Sequence, residues 1–369
     1  MPSNPQSYNF TPLLSAIGES GDKDNLSLNP CLPFITGKAM GWPVTALLFE
    51  VNETPVAWFA ALHNGKEWFS LPHYNNGAFW FDETRFNTLT GNDQQAHTDK
   101  RAFFEQFILN GAWFTSGPAE DQFIIINLDR DNLSSSLPLH KANERITQRS
   151  FSVLAENKLS HKVDSSLKLK STGQDQFSVF TAGVRRKINK AVKNGISLQT
   201  GGIELLSDFY PVYRRKIHEL GSFGLPESFF SLLLKEYTHG TIKVLIARHH
   251  GKVIGCALLM TSGRYAENPW FATLEKHNHL YVSYLLHWEM IKTAIEAGCH
   301  TYSFGYSTRN SGVHHYKQQW GTNDKTIFLN STLPVSDKLS KKQYLRSIIR
   351  HLPQRLMQQL DTFIAQHYY

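Results

Sequence analysis

Cysteine is scarce in this chain: only Cys31, Cys256 and Cys299 occur in 369 residues. An odd, sparse set does not make a disulfide framework, and no pair has the spacing of zinc ligands, so no metal is expected. Cys256 sits inside the apolar run Val253 to Met260 and is expected to be buried. Long apolar runs are missing as well; none approaches the roughly 18 residues that a membrane span needs. Met1 to Leu14 has neither a basic segment nor an apolar core, so no secretory leader is expected and the protein should work in the reducing cytoplasm. Glycine is absent from residues 273–284, the junction between a strand and a long apolar helix. A backbone cradle for a pyrophosphate needs glycines for close approach, so none is expected there.

What is present is a well-filled chain with a basic surface. Hydrophobic residues make up 41% and aromatics 12%, which excludes wholesale disorder. The length suffices for two domains, each with its own core. A formal charge of +7 favours polyanionic partners such as tRNA, nucleotide-linked sugars or an anionic membrane face, although a mildly basic soluble enzyme carries the same balance.

The first half reads as a mixed sheet with few helices. Residues 1–40 are punctuated by five prolines and read as an arm with at most one short helix. Strands are expected at Val44 to Val51, Val56 to Leu62 and Glu67 to Leu71, with Asn64-Gly65 as a hairpin signal. Residues 75–97 read as loop, Asp99 to Leu109 as helix, and Phe123 to Ile126, Phe151 to Leu154 and Ser166 to Leu169 as strands. A boundary is expected at Lys170 to Gly173, giving units 1–170, 171–335 and a tail 336–369.

The second half has clearer periodicity. Phe177, Phe180, Val184, Ile188 and Val192 form one stripe, predicting a single helix from Gln174 to Asn194. Then follow a strand at 196–200, helices at 203–220 and 226–237, strands at 241–249, 252–261 and 266–274, and a helix at 280–297. A strand at 301–304, a turn cluster from Gly305 to Gly312, a helix at 311–320 and a strand at 326–330 complete it. In the tail, Asp337 to Tyr369, an apolar face lies opposite Lys338, Lys341, Lys342, Arg346, Arg350 and Arg355. Such a helix can pack on its own domain or, through 337–364, lie on an anionic inner-membrane surface.

The stretch from Gly298 to Gly321 holds the most specific pattern. Trp288 to Lys292, Ala297-Gly298-Cys299, Tyr302-Ser303-Phe304-Gly305, Gly312 and Tyr316-Lys317-Gln318-Gln319-Trp320-Gly321 follow in fixed order. This combination resembles the Fem family, the aminoacyl-tRNA-dependent transferases of peptidoglycan bridges. It is similar above all to the FemAB-like proteins beside exopolysaccharide and protein-sorting systems. The likeness covers roughly residues 175–330 well and the first half loosely. It implies an α/β protein of two GNAT-like (acyl-CoA N-acyltransferase-type) domains in tandem, the first degenerate, followed by the helical tail.

The resemblance also assigns roles. Lys317 matches the family lysine and would stabilise the oxyanion of aminoacyl transfer. His315, whose charge changes near neutral pH, and Ser303, where relatives carry Asp or Asn-like groups, complete the expected catalytic set. Tyr316 would shape the channel, and Tyr302, Ser307 and Arg309 are expected to bind substrate with it. Trp270, in Asn268-Pro269-Trp270-Phe271, would stack on substrate, with core packing as the ordinary alternative. Arg185, Arg186, Lys187 and Lys190 on one basic helix would meet phosphates, with a solvated face as the alternative.

The expected function is acyl or aminoacyl transfer to an amine of a cell-envelope or polysaccharide precursor. The carrier would be aminoacyl-tRNA, with no tightly bound cofactor and no DNA partner. The alternatives are an acyl-CoA N-acyltransferase and a non-catalytic GNAT-like module that binds an anion or a partner.

Overall fold

The structure is a computed structural model that describes residues 9–19, 25–64, 68–71, 74, 77–90, 122–127, 159–329 and 349. The chain divides into two compact units, residues 1–159 with 328–335 and residues 160–327 with 336–369.

The first unit contains α1 (Thr11–Glu19), a 3-10 turn (Leu26–Leu28), α2 (Cys31–Met40), β1 (Val44–Val51), β2 (Thr54–His63), β3 (Trp68–Phe69), β4 (Ala78–Phe81), α3 (Glu83–Thr90) and β5 (Gln122–Asn127). Its strands run in the order β3-β2-β1-β5, with β4 also paired to β2. β1 is antiparallel to β2 and parallel to β5. All eight β1 residues are buried, the pattern of a strand covered on both faces. The hairpin signal at Asn64-Gly65 agrees with antiparallel pairing of Leu62 with Phe69 and His63 with Trp68.

Two expectations for this unit need correction. The described residues of 1–40 hold two helices and a 3-10 turn, because three of the prolines that read as breakers stand at helix starts. Pro12 lies in the first turn of α1, Pro30 is the N-cap of α2 and Pro33 lies in its first turn, where a missing N–H costs nothing. Asn9 and Asn29 side chains accept from Thr11 N (3.0 Å) and Cys31 N (3.1 Å) and start the two helices. Residues 75–97 are not all loop: β4 is too short to show periodicity, and Asp82 starts α3 by accepting from Arg85 N at 2.9 Å. The expected helix Asp99 to Leu109 and strand Phe151 to Leu154 lie outside the described residues. So does the tail Asp337 to Tyr369 save Ile349, whose carbonyl accepts from His218 Nε2 at 2.8 Å. Among the described residues no helix is long and apolar enough to cross a membrane.

The second unit contains β6 (Leu159–Lys168), α4 (Gly173–Val179), α5 (Ala182–Lys193), β7 (Ser197–Gly201), a 3-10 turn (Ile203–Leu205), α6 (Leu206–Glu219), α7 (Glu227–Glu236), β8 (Gly240–His249), β9 (Lys252–Ser262), β10 (Tyr265–Thr273), a 3-10 run (Glu275–Leu280), α8 (Val282–Glu296), β11 (Thr301–Thr308), α9 (Gly312–Gln318) and β12 (Asn323–Leu329). One sheet in the order β12-β6-β11-β10-β9-β8-β7 runs through it. The predicted order of elements from 196 onward holds throughout. α8 lies close on β9: a Cβ added at Gly255 would meet Val282 Cγ1 at 2.9 Å.

The single helix expected from Gln174 to Asn194 is two. Phe180 and Thr181 are extended (ψ 150° at both), and the Thr181 hydroxyl accepts from Val184 N at 3.3 Å to start α5. The break lets Phe180 pack edge-on against Trp288 and Trp320, at centroid distances of 5.7 and 5.2 Å. The strand expected at 301–304 continues to Thr308, so Gly305, Ser307 and Thr308 are strand residues and not a turn. Gly305 at φ 70° forms a bulge, and pairing with β6 resumes beyond it, Tyr306 opposite Asp164 and Thr308 opposite Lys162.

Candidate active site at the β10–β11 split

β10 and β11 are parallel neighbours that pair over three rungs only: Tyr265–Thr301, Ala266–Tyr302 and Glu267–Ser303. Two local features end the pairing at that point. Pro269 has no N–H to give a ladder, and the β9–β10 register shifts between Glu267 and Trp270. On the other strand, the Gly305 bulge follows at once. The two strands part toward their carboxyl ends, where open α/β sheets bind ligands.

Lys317 reaches this point from α9. Ser311 starts α9 by accepting from His314 N at 3.2 Å. Tyr316 and Trp320, one helical turn apart, face the core. Trp320 is buried against Tyr284 and Phe180, and this burial explains the fixed spacing of the Tyr316 to Gly321 pattern. With that face anchored, the Lys317 side chain is 5% exposed, and its Nζ donates to the Gly305 carbonyl at 2.6 Å and the Tyr306 carbonyl at 3.1 Å.

Four further elements bring polar groups to the same place. From β6, Asp164 Oδ1 accepts from Ser303 Oγ at 2.5 Å, and Ser303 Oγ in turn accepts from Gly305 N at 2.9 Å. From β10, Glu267 accepts from the Tyr265 hydroxyl at 2.9 Å. From α8, His287 Nδ1 lies 3.1 Å from the Tyr302 hydroxyl, whose one proton goes to Asn268 Oδ1 at 3.0 Å. His287 therefore donates from Nδ1. From β12, Asp324 accepts from His314 Nε2 at 2.7 Å and Ser165 Oγ at 2.8 Å. The Asn310 N–H occupies His314 Nδ1 at 3.0 Å, which fixes the Nε2–H tautomer.

Burial sets the charge states. It pulls the Lys317 amine down to about 8, against the attraction of Asp164, Glu267 and Asp324. It pushes the Glu267 carboxyl up to about 8, and the Asp164 charge adds to that push. Burial also raises Asp164, opposed by the Ser303 hydrogen bond and the Lys317 charge. It holds His287 well below its usual range, helped by the Lys317 charge, so this imidazole is neutral. A buried carboxyl and a half-buried one beside a buried amine are costly to assemble, and such clusters mark sites of chemistry more often than of stability. At neutral pH the arrangement presents an ammonium fixed by two carbonyls, with a protonated carboxyl beside it.

The predicted site residues fall into two sets. Lys317 and Ser303 belong to the cluster, Tyr302 to its His287–Asn268 arm, and the Tyr316 ring lies 5.6 Å from His287. His315 does not join them: it is exposed on α9, its Nδ1 3.3 Å from Gln318 Oε1. The neighbouring His314 points inward, a helix-phase difference of one residue. Trp270 is core, edge-on to Phe229 and Phe230 at 5.4 and 5.3 Å, the ordinary alternative of the two. Ser307 is buried in the β6 ladder, and the exposed Arg309 donates to Thr326 Oγ1 at 2.7 Å.

The basic helix α5 lies against the start of α8. Lys187 donates to the Tyr284 hydroxyl and to Gln319 Oε1, both at 2.8 Å, and Lys190 Nζ lies 5.8 Å from the Tyr281 ring centroid. Arg185 donates back to the Ser178 carbonyl at 3.2 Å, while Arg186 is exposed. A groove of about 580 Å³ also opens between α4, α5 and α8, floored by Phe177, Leu285 and Trp288, but none of the predicted site residues lines it.

Sequence reading missed Asp164, Glu267, His287, His314 and Asp324. Glu267 had a signal, an acid inside an apolar strand; so did His287, inside a helix apolar nearly all round. Asp164 had none, since its strand alternates with charge and polar residues. Among the described residues no three His, Cys, Asp or Glu side chains are arranged to hold a metal ion.

Residues 179–318 match the family model described as an acetyltransferase (GNAT) domain. No curated protein sequence matches the chain. Among solved structures, FemX is similar at 12% identity and a TM-score of 0.54, over 89% of this chain and 96% of that one. A tandem GNAT protein from the clavulanic acid biosynthesis pathway is similar at 11% identity and a TM-score of 0.46, over 91% of this chain and 98% of that one. L-PGS from Bacillus licheniformis is similar at 12% identity and a TM-score of 0.45, over 94% of this chain and 96% of that one. The α/β fold expected from sequence agrees with FemX along most of the chain. Residues 179–318 are thus similar to a GNAT acetyltransferase domain, within a fold like that of FemX.

Proposed function

We propose that the chain moves an acyl or aminoacyl group from a carrier, aminoacyl-tRNA, to an amine of a cell-envelope or polysaccharide precursor. The observation that carries the reading is the Lys317 ammonium held at the β10–β11 split by the Gly305 and Tyr306 carbonyls. Attack of an amine on an ester carbonyl builds negative charge on the carbonyl oxygen, and a fixed cation in a dry site favours that charge over the ground state.

The choice of donor rests on the β10–α8 junction. There the Glu275–Leu280 run consumes its own donors: His277 N bonds the Leu274 carbonyl at 2.9 Å and Tyr281 N bonds the Asn278 carbonyl at 3.0 Å. Tyr281 itself sits at φ 62° as the N-cap of α8. These two N–H groups are turned to backbone carbonyls of the junction itself and not outward to a pyrophosphate. Lys187 and Lys190 stand over the same helix start and suit the phosphates of a carrier or of a nucleotide-linked acceptor. The match to an acetyltransferase domain supports the second reading, transfer from acyl-CoA.

The deciding experiment offers labelled aminoacyl-tRNA and acetyl-CoA in parallel to the protein with amine acceptors. Transfer from tRNA with no calorimetric binding of acetyl-CoA is expected; micromolar acetyl-CoA affinity overturns the donor assignment. If the α5 cations contact phosphates, Arg186→Ala and Lys190→Ala should each lower the log–log salt slope of tRNA binding by about 0.7–0.9. An unchanged slope in both variants leaves that helix face to solvent.

A further inference from the structure

We propose that Asp164 is a positioning residue for Lys317, fixing through Ser303 the two bulged carbonyls on which the amine rests. Asp164 lies on β6, ahead of the matched residues 179–318, on a strand the family match does not include. β6 nevertheless runs beside β11 and sets Asp164 opposite Tyr306, just past the bulge.

The chain of contacts is short and directional. The bulge removes Gly305 from the ladder, and its N–H turns instead to Ser303 Oγ at 2.9 Å. That hydroxyl has a single proton, and it goes to Asp164 Oδ1 at 2.5 Å. The carboxyl therefore decides how the hydroxyl points. The hydroxyl holds the Gly305 N–H and so pins the peptide plane that enters the bulge, directly ahead of the Gly305 and Tyr306 carbonyls that receive Lys317 Nζ. Gly305 adopts φ 70°, one of several regions open to glycine, so the bulge depends on this anchoring to keep one form.

Charge acts along the same line. The charged groups that face Asp164 are Lys317 from α9 and Lys325 and Asp324 from β12, and Glu267 feels its charge from β10. Of the groups that oppose the effect of burial on Lys317, Asp164 is the first. A neutral residue at 164 would leave the amine easier to deprotonate, while Ser303→Ala would leave the carboxyl without its donor and so more readily neutralised.

The test follows the Lys317 amine itself, so that it does not depend on the transfer reading. The full chain is labelled with 13Cε-lysine, the Lys317 signal is assigned by its loss in Lys317→Met, and its shift is followed with pH. In Asp164→Asn the titration midpoint should fall by about one pH unit or more, the range for loss of a close opposite charge. Ser303→Ala should move it the same way by less. Where transfer is measured, kcat should fall with the midpoint while KM holds. An unchanged midpoint in both variants overturns the proposal. If Asp164→Asn does not melt cooperatively, Ser303→Ala alone decides. A moved midpoint in a protein that transfers from no donor leaves Asp164 in its role and removes the transfer reading instead.

Discussion

Lys317→Ala is expected to fold, to bind donor as the parent does, and to lose most turnover. Removal of one donor to a developing oxyanion typically costs on the order of 100- to 1,000-fold in kcat, about 2.7–4 kcal/mol. The effect should fall on kcat and not on donor affinity, because the oxyanion exists only in the transition state. With its amine pulled down to about 8, Lys317 is charged below that pH and neutral above it, so parental turnover should decline as pH rises through 8. Lys317→Arg should restore little, since a planar fork cannot take the place of a point charge 2.6 Å from one carbonyl and 3.1 Å from another. Single-turnover transfer with a melting curve beside it decides the matter. Parental turnover in Lys317→Ala would sink the catalytic role, and loss of turnover through unfolding alone would make Lys317 a structural residue.

Glu267→Gln should stabilise the second unit in a pH-dependent way. In the folded chain the Glu267 carboxyl is pushed from 4.5 up to about 8, chiefly by burial. Between these values the unfolded chain is ionised at this residue while the folded chain keeps the proton. The folded state then binds more protons, so stability falls as pH rises from about 4.5 to 8 and levels off above. Gln mimics the protonated carboxyl and escapes that loss. Half of the shift, at about 1.36 kcal/mol per unit, amounts to about 2 kcal/mol, or roughly 4–8 °C in a unit of this size. The melting temperatures of variant and parent should coincide near pH 5 and separate toward pH 8. Curves that stay parallel across this range would show that Glu267 ionises as an ordinary carboxyl.

Lys317 and Glu267 illustrate how unevenly the site was legible. Lys317 stands in a motif whose spacing is enforced by a local fact, the four-residue repeat of Tyr316 on a short helix and Trp320 in the turn that ends it. Any chain that buries Trp320 against Tyr284 must present residue 317 on the adjoining face. Glu267 carries no such repeat; what makes it a candidate is that its strand is covered on both sides. His314 and His315 mark the limit of the motif itself. Spacing alone did not fix which histidine faces inward, because that depends on where Ser311 starts the helix.

The sequence by itself determined the order of elements from residue 196 onward, the Fem-like pattern around Lys317, the helix of α5 cations and the glycine-free junction before α8. These are local quantities, set by periodicity, turn residues and spacing within a few turns of chain. It misplaced the break at Phe180 and the end of β11, because both are decided by distant partners: Trp288 and Trp320 draw Phe180 out of helical phase, and β6 extends β11 past Gly305. Only the tertiary structure assembled Asp164, Glu267, Ser303, His287 and Lys317. The acid on β6 stands 139 positions from the serine it accepts from. No pattern within a strand or a helix encodes that pairing; it arises because the sheet order sets β6 beside β11 and because β10 and β11 part after three rungs. Burial then did what composition cannot, moving a carboxyl and an amine toward the same pH and turning ordinary side chains into a candidate site.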